Sequence, residues 1–272
     1  MCIIGKGEKL YAKEYINYYK TLGYNHIYLY DNNEINGERF EEALQEELNN
    51  GFVSIINYRG KKGRKGKLRD PQLEAYYDCY EKNNKFFDWL SFFDFDEFLE
   101  LKPINNIQKF LNNIRYKHCV SIKINFLFYS DNELLYYDNR SIQQRFTSPL
   151  LNHPNNKYIK TIVRGGLKPN YWKNSKTPHT GNINYISCNS LGNIIKYSSN
   201  KNVPYNYNYA ILKHFYTKSV EEYCQKTKRG YAYFNKIEYN YKRKIQRINN
   251  YFKYNKKTKE KMKLFKKIFS IK

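Results

Sequence analysis

Cysteine is sparse and poorly placed for a covalent framework. Cys2, Cys79, Cys119, Cys188 and Cys224 are odd in number and widely scattered, with no CxxC pair. That pattern argues against a zinc site and against a disulfide scaffold. No apolar run reaches the length of a membrane span, and the N-terminal stretch MCIIGKGEKLYAKEY has no secretory hydrophobic region. On these absences the expectation is a cytoplasmic chain with reduced thiols. Acidic charge is short too: 25 Asp and Glu stand against 48 Lys and Arg, for a formal net charge of +23. Such a balance favours anionic partners: nucleic acid, an anionic membrane surface or phosphorylated substrates. A recognisable nucleic-acid-binding motif is also missing, so a basic nucleic-acid-binding protein stands only as the alternative reading, and no nucleic-acid partner is expected.

What is present is core material. Of the 272 residues 41% are hydrophobic and 18% aromatic, enough for one large domain or two small ones. The positive charge is unevenly spread. From Lys242 to the end there are 13 Lys and Arg and one acid, Glu260, so about half of the excess sits in a short tail. There Met262, Leu264, Phe265, Ile268, Phe269 and Ile271 fall on one half of a helical wheel, and Lys259, Lys263, Lys266 and Lys267 on the other. That is the pattern of an in-plane helix on an anionic membrane face, and equally of a basic helix packed on a core. The chain is therefore expected to divide into a globular domain over 1–230 and a basic amphipathic helical tail over 231–272.

The N-terminal pattern fixes the expected fold class. Cys2-Ile3-Ile4, His26–Tyr30 and Phe52–Tyr58 read as strands, with helices over Glu8–Leu22 and Phe40–Leu48 between them. Strand, helix, strand, helix, strand implies right-handed crossovers and a Rossmann-like α/β fold with a mixed, mostly parallel sheet flanked by helices. Further helices are expected at Gln72–Lys82 and Ile107–Arg115, and strands at Val120–Tyr129, Lys160–Arg164 and Ala210–Tyr216. A hairpin-like excursion is expected over Leu134–Phe146, and Ser219 with Glu222 forms a capping-box signature.

Ligands of such sheets bind beyond the C-terminal strand ends, which places Lys6, Glu8, Asp31 and Asn32 on one rim. Asp31 is positioned to hydrogen-bond a nucleoside, or else forms a turn with Asn32. The loop Arg59–Arg69, RGKKGRKGKLR, either attracts a diphosphate, with Arg69 at its end, or is a solvated surface loop. The densest signal is Phe86–Glu100, FFDWLSFFDFDEFLE, where an apolar run ends in Asp94-Phe95-Asp96-Glu97. Read as a strand, it puts Asp94 and Asp96 on one face and Glu97 on the other. Two adjacent carboxylates repel, and a divalent cation shared with substrate phosphates removes that repulsion. Solvated acids at a strand end are the plainer alternative.

Five separated stretches, EYINYYKTLGYNHIYLYDNN, QLEAYYDC, WLSFFDFDEFLE, KTIVR and ILKHFYTKSVEEY with TKRG, together resemble the family 92 and family 2-like glycosyltransferases of GT-A fold, over about residues 2–230. The resemblance implies a nucleotide-sugar donor, UDP-sugar favoured, and Mn2+ or Mg2+ held by Asp94, Asp96 and His214. It also implies inversion at the sugar carbon, with Asp131 as first candidate base and His179 as second. The implied acceptor is a glycan or lipid-linked hydroxyl, which the basic tail would let the protein meet at a membrane. Lys6-Gly7-Glu8 departs from the Lys-Asn-Glu usual after the first strand, and the segment from Asn170 to Pro204 matches weakly. An inactive glycosyltransferase-like scaffold is a third reading, though nothing in the motifs shows decay.

Overall fold

The structure is a computed structural model, and it describes residues 1–271 apart from 63–70, 169, 174, 176, 183, 196–205 and 230–240. The chain opens on strand β1 (Cys2–Gly5), helix α1 (Lys9–Thr21) and strand β2 (Ile27–Asp31). The expected helix over Phe40–Leu48 is broken into a 3₁₀ turn at Phe40–Glu42 and a short α2 (Gln45–Asn49), followed by β3 (Val53–Asn57). Then come α3 (Pro71–Asn83), β4 (Trp89–Phe92), β5 (Glu97–Leu101), α4 (Ile107–Leu111) and the long β6 (Ser121–Phe128). The hairpin expected over Leu134–Phe146 is absent. That stretch is turns followed by a single helical turn, α5 (Ile142–Arg145), whose Ser141–Gln144 capping box satisfies its first amides. The strands β7 (Ile159–Arg164), β8 (Ser187–Asn189), β9 (Ile194–Ile195) and β10 (Ala210–His214) follow, then α6 (Val220–Arg229), α7 (Tyr241–Phe252) and α8 (Lys259–Phe269). The expected box at the start of α6 is present: the Glu222 amide donates to Ser219 Oγ, and the Ser219 amide to Glu222 Oε2.

The strands form one mixed sheet in the order β3-β2-β1-β4-β7-β6-β10-β5, with β8 and β9 attached through β6. β1, β2, β3 and β4 pair in parallel, as do β6 with β10 and β8, whereas β7 and β5 run antiparallel to their neighbours. This is the α/β class expected from the sequence. Adjacent phenylalanines serve opposite faces of the sheet. Phe93 packs with Tyr15, Ile16 and Tyr19 of α1, whereas Phe92 packs with Leu73, Tyr76 and Tyr80 of α3.

Two expectations are corrected here. The cysteines are paired as Cys2–Cys79, between β1 and α3, and Cys119–Cys188, between the loop just before β6 and β8, with Cys224 free and buried. Their separations of 77 and 69 residues come from the tertiary fold and leave no local spacing to read. Disulfides persist in oxidising surroundings, so cysteine usage no longer argues for a cytoplasmic chain. The second correction concerns the tail. The apolar face of α8 is not free for a membrane, because Leu264, Phe265 and Phe269 are buried against Val220, Tyr223 and Cys224 of α6 and Ile248 and Tyr251 of α7. Among the described residues no helix is long and apolar enough to cross a membrane.

Candidate functional site

Asp94-Phe95-Asp96 does not lie in a strand. β4 ends at Phe92 and β5 starts at Glu97, so the triplet is a turn between them, and period-two alternation does not govern its side chains. Glu97 therefore does not point away from Asp96. It turns back so that its Oε2 accepts the Asp94 amide at 2.9 Å, and its side chain is fully buried. Pairing of β5 with β10 sets Glu97 opposite His214. That register, combining residues more than a hundred positions apart, brings the histidine to the acidic turn.

The two aspartates occupy different surroundings. Asp94 Oδ1 accepts from Lys160 Nζ at 2.7 Å, from Gln72 Nε2 at 2.6 Å and from the Tyr76 hydroxyl at 3.2 Å. Asp96 is buried; its Oδ2 accepts from Lys226 Nζ at 2.5 Å, and its Oδ1 lies 3.5 Å from His214 Nε2. Burial pushes the Asp96 carboxyl up, but Lys226 and His214 outweigh it and hold the group well below the usual carboxylate range. For Asp94 burial is likewise outweighed, here by Lys160, and the net shift is downward. Glu97 goes the other way: burial, then the charges of Asp94 and Asp96, push it well above the ordinary glutamate value. Burial lowers His214, against the pull of Asp96, and so keeps its imidazole neutral.

Around this turn is a cavity of about 260 Å³, at the C-terminal ends of β1, β2 and β10. Asp94, Asp96 and His214 line one side; Lys6, Glu8 and Asn32 line the rim after β1 and β2; Lys226 and Arg229 enter from α6. Arg229 donates to Glu8 Oε1 at 2.9 Å and to the Gly7 carbonyl at 2.8 Å. Lys6 Nζ reaches Glu34 at 3.0 Å. The donor set suits a divalent cation. Ligand atoms of Asp96, Glu97 and His214 lie within 4.8 Å of one another. Glu97 Oε1 and His214 Nδ1 are buried without a hydrogen-bond partner, and the carboxylate oxygens are ligands that hard divalent ions such as Mn2+ and Mg2+ take. Asp94, expected in that set, is held instead by Lys160, and Glu97 stands in its place.

Not every expected residue is at the cavity. Asp31 lies at the end of β2 but is buried under Arg59, whose Nη1 donates to its Oδ2 at 2.5 Å, so it is not available to a nucleoside. Arg59 also donates to the carbonyls of Glu34, Gly37 and Glu38, a folded-in role unlike the solvated or diphosphate-seeking loop expected there. Arg69 lies outside the described residues. Asp131, the first candidate base, follows β6 on the same edge but is sealed: it is 2% exposed, with Lys261 Nζ at 2.5 Å and the Tyr251 hydroxyl on its Oδ2. His179 is not among the cavity-lining residues, but it lies close enough to Asp94 and Lys160 to feel both charges. Its Nδ1 is 2.9 Å from the Ile159 carbonyl, which only accepts, so Nδ1 carries the proton and Nε2 the lone pair. Burial, with Lys160 assisting, lowers its pKa to about 4.

Sequence reasoning missed Lys160, Lys226, Arg229 and Glu97. A lysine inside the apolar run YIKTIV was the one local sign, since a buried lysine demands an acidic partner. Lys226 and Arg229 look like ordinary basic residues of a helix end until the fold aims them at the turn.

A family model described as glycosyltransferase family 92 matches residues 1–257, which carries the match beyond residue 230 and through α7. No curated protein matches the chain. Among solved structures, a putative glucose-1-phosphate thymidylyltransferase from Bacillus anthracis, in complex with sucrose, is similar at a TM-score of 0.30 and 12% identity, over 60% of this chain and 68% of that one. A likeness of that degree carries no inference.

Proposed function

The chain belongs to glycosyltransferase family 92, and from that premise we propose that it is a metal-dependent, inverting enzyme moving a sugar from a nucleotide-sugar, UDP-sugar favoured, to a hydroxyl of a glycan or lipid-linked acceptor. The observation that carries the proposal is the cavity in which Asp96 and His214 meet the cations Lys226 and Arg229. Mn2+ or Mg2+, held by Asp96 and His214 with Glu97 beside them, would neutralise charge on the departing nucleoside diphosphate. Lys226, Arg229 and Lys6 line the same space and offer the diphosphate fixed positive charge that needs no rearrangement as the bond breaks. Lys160 keeps Asp94 ionised and oriented at the same cavity.

Inversion needs a base on the face away from the leaving group. Asp131 is excluded by its buried pairing with Lys261 and Tyr251. His179 is the base in this reading: its Nε2 lone pair takes the acceptor proton as the acceptor oxygen bonds to the sugar carbon and the diphosphate leaves. The test is thermal stability against UDP-, GDP-, CMP- and dTDP-sugars, with and without Mn2+. The expected result is a metal-dependent rise with one nucleotide class. No rise with any donor would overturn the assignment of the cavity to a nucleotide-sugar.

A further inference from the structure

A cavity larger than the one at the acidic turn lies elsewhere. A cleft of about 830 Å³ lies at the opposite end of β4, where Trp89 begins the strand, and a second of about 310 Å³ adjoins it. Asn25, Phe87, Asp88, Trp89, Leu111 and Asn112 line both, so the two form one groove. Trp89 and the acidic turn lie at opposite ends of β4, and at ~3.3 Å per residue the strand itself separates them by roughly 10 Å. The volume falls within the roughly 300–1,000 Å³ typical of sites for organic ligands.

Its lining is unlike a plain surface hollow. Phe86 at 76% and Ile114 at 77% are the two most exposed large apolar side chains among the described residues, and both face this cleft. Exposed apolar groups gathered in one concavity mark a binding surface more often than scattered ones do. Between them, the side chains of Asn25, Asp88 and Asn112 make no hydrogen bond or ion pair among the described residues. The walls are fixed: the Gly165 amide donates to the Asp88 carbonyl at 2.8 Å and the Gly166 amide to the Asn84 carbonyl at 2.9 Å. A Cβ on Gly165 would stand 2.0 Å from the Phe87 carbonyl oxygen, so only glycine permits this approach. The floor is fixed as well, since the Arg164 guanidinium lies over the Trp89 ring at 4.4 Å while donating to the carbonyls of Cys119 and Tyr116.

The geometry points to a secondary glycan-binding groove that holds a neutral oligosaccharide stretch away from the reacting end. An aromatic face carries negative potential that attracts the polarised C–H face of a sugar ring. Free amides and a carboxylate supply the donors and acceptors that sugar hydroxyls use. Lys85, Lys117 and Arg164 line only the larger cleft, and Arg164 is turned onto backbone carbonyls; in the stretch the two cavities share, Asp88 is the one charged side chain and opposes an anionic chain. That the bound glycan is the enzyme's acceptor or product rests on the function proposed above; the groove itself does not.

Affinity electrophoresis of the whole protein in gels holding dextran, galactan, xylan or polygalacturonate tests this. At least one neutral polymer should retard the wild type. Phe86→Ala with Asn112→Ala, both exposed positions, should weaken that retardation by about tenfold or more, while donor-induced thermal stabilisation stays as in wild type. No retardation by any neutral polymer, or equal retardation of the double variant, overturns the proposal. Retardation by polygalacturonate alone, abolished by salt, also overturns it, as ion exchange on the basic surface. A wild type that neutral polymers retard but no donor stabilises would sustain the groove and count only against the donor assignment.

Discussion

Asp96 and Asp131 are built alike and sit in different surroundings. Each lies near the C-terminal end of a sheet strand, each is buried, and each carries a lysine at 2.5 Å from a helix near the end of the chain, Lys226 on α6 and Lys261 on α8. Around Asp96 the packing is incomplete. A cavity opens beside it, His214 Nδ1 and Glu97 Oε1 make no hydrogen bond, and the nearest cation to Glu97 Oε1 is Lys160 Nζ at 3.7 Å. Around Asp131 it is complete: Tyr251 donates to the same carboxylate oxygen, the Asn255 side chain accepts from the Asp131 amide, and α7 and α8 cover the cluster. A buried carboxylate–lysine pair is thus no evidence of a reactive site by itself. Space and unsatisfied polar atoms separate the pair at the proposed site from the sealed one.

The largest expected effect falls on the open site. Asp96→Asn should lower the transfer rate by about a hundredfold or more, with little change in urea unfolding; a variant that keeps wild-type turnover would remove the distinction between the two pairs. Next comes the sealed site. Asp131→Asn leaves Lys261 buried without a counter-charge and should cost about 3 kcal/mol of stability, while activity per folded molecule is unchanged. Replacing both partners, Asp131→Leu with Lys261→Met, should recover most of that loss.

A third comparison uses metal as the probe. Lys226→Met should lower the melting temperature in EDTA, because Asp96 is then uncompensated, and Mn2+ should restore it. The drop caused by Lys261→Met should be indifferent to Mn2+, since among the described residues Asp131 belongs to no group of side chains that could hold a metal ion. The smallest effect is that of pH. His153, which stacks on Phe128 and Tyr254 near the sealed cluster, and His179, near the cleft, both have pKa values lowered to about 4, in each case first by burial. The unfolded chain, with histidines near 6.5, takes up protons first, so stability is full above about pH 6.5 and falls toward pH 4. Gln at either position should flatten that fall in a melting series, but only His179→Gln should also slow transfer.

Much of the architecture was legible because it depends on local periodicity. The short apolar runs in His26–Tyr30 and Val120–Tyr129, buried along most or all of their length, and the helical spacing of Tyr11, Tyr15 and Tyr19 are local signals, and β2, β6 and α1 follow them. The acidic turn and His214 were legible as residue types in a recurring order. Their cationic partners were not, because Lys160 and Lys226 reach the turn from 66 and 130 residues away; Lys160 carries one local sign, its place in an apolar run, and nothing local distinguishes Lys226 from a surface lysine. The α8 stripe was ambiguous for another reason. An apolar helix face has the same sequence whether a bilayer or α6 covers it, and only the packing of Leu264, Phe265 and Phe269 decides. Asp131 misled because a strand-end acid on the correct rim looks the same in sequence whether or not Lys261 closes over it.

The most direct test of the central claim is calorimetric titration of UDP in the presence of Mn2+ into wild type, Asp96→Asn and Asp131→Asn. The account predicts metal-dependent binding to wild type and to Asp131→Asn, and none to Asp96→Asn. Binding that survives in Asp96→Asn, or that is lost only in Asp131→Asn, would contradict it.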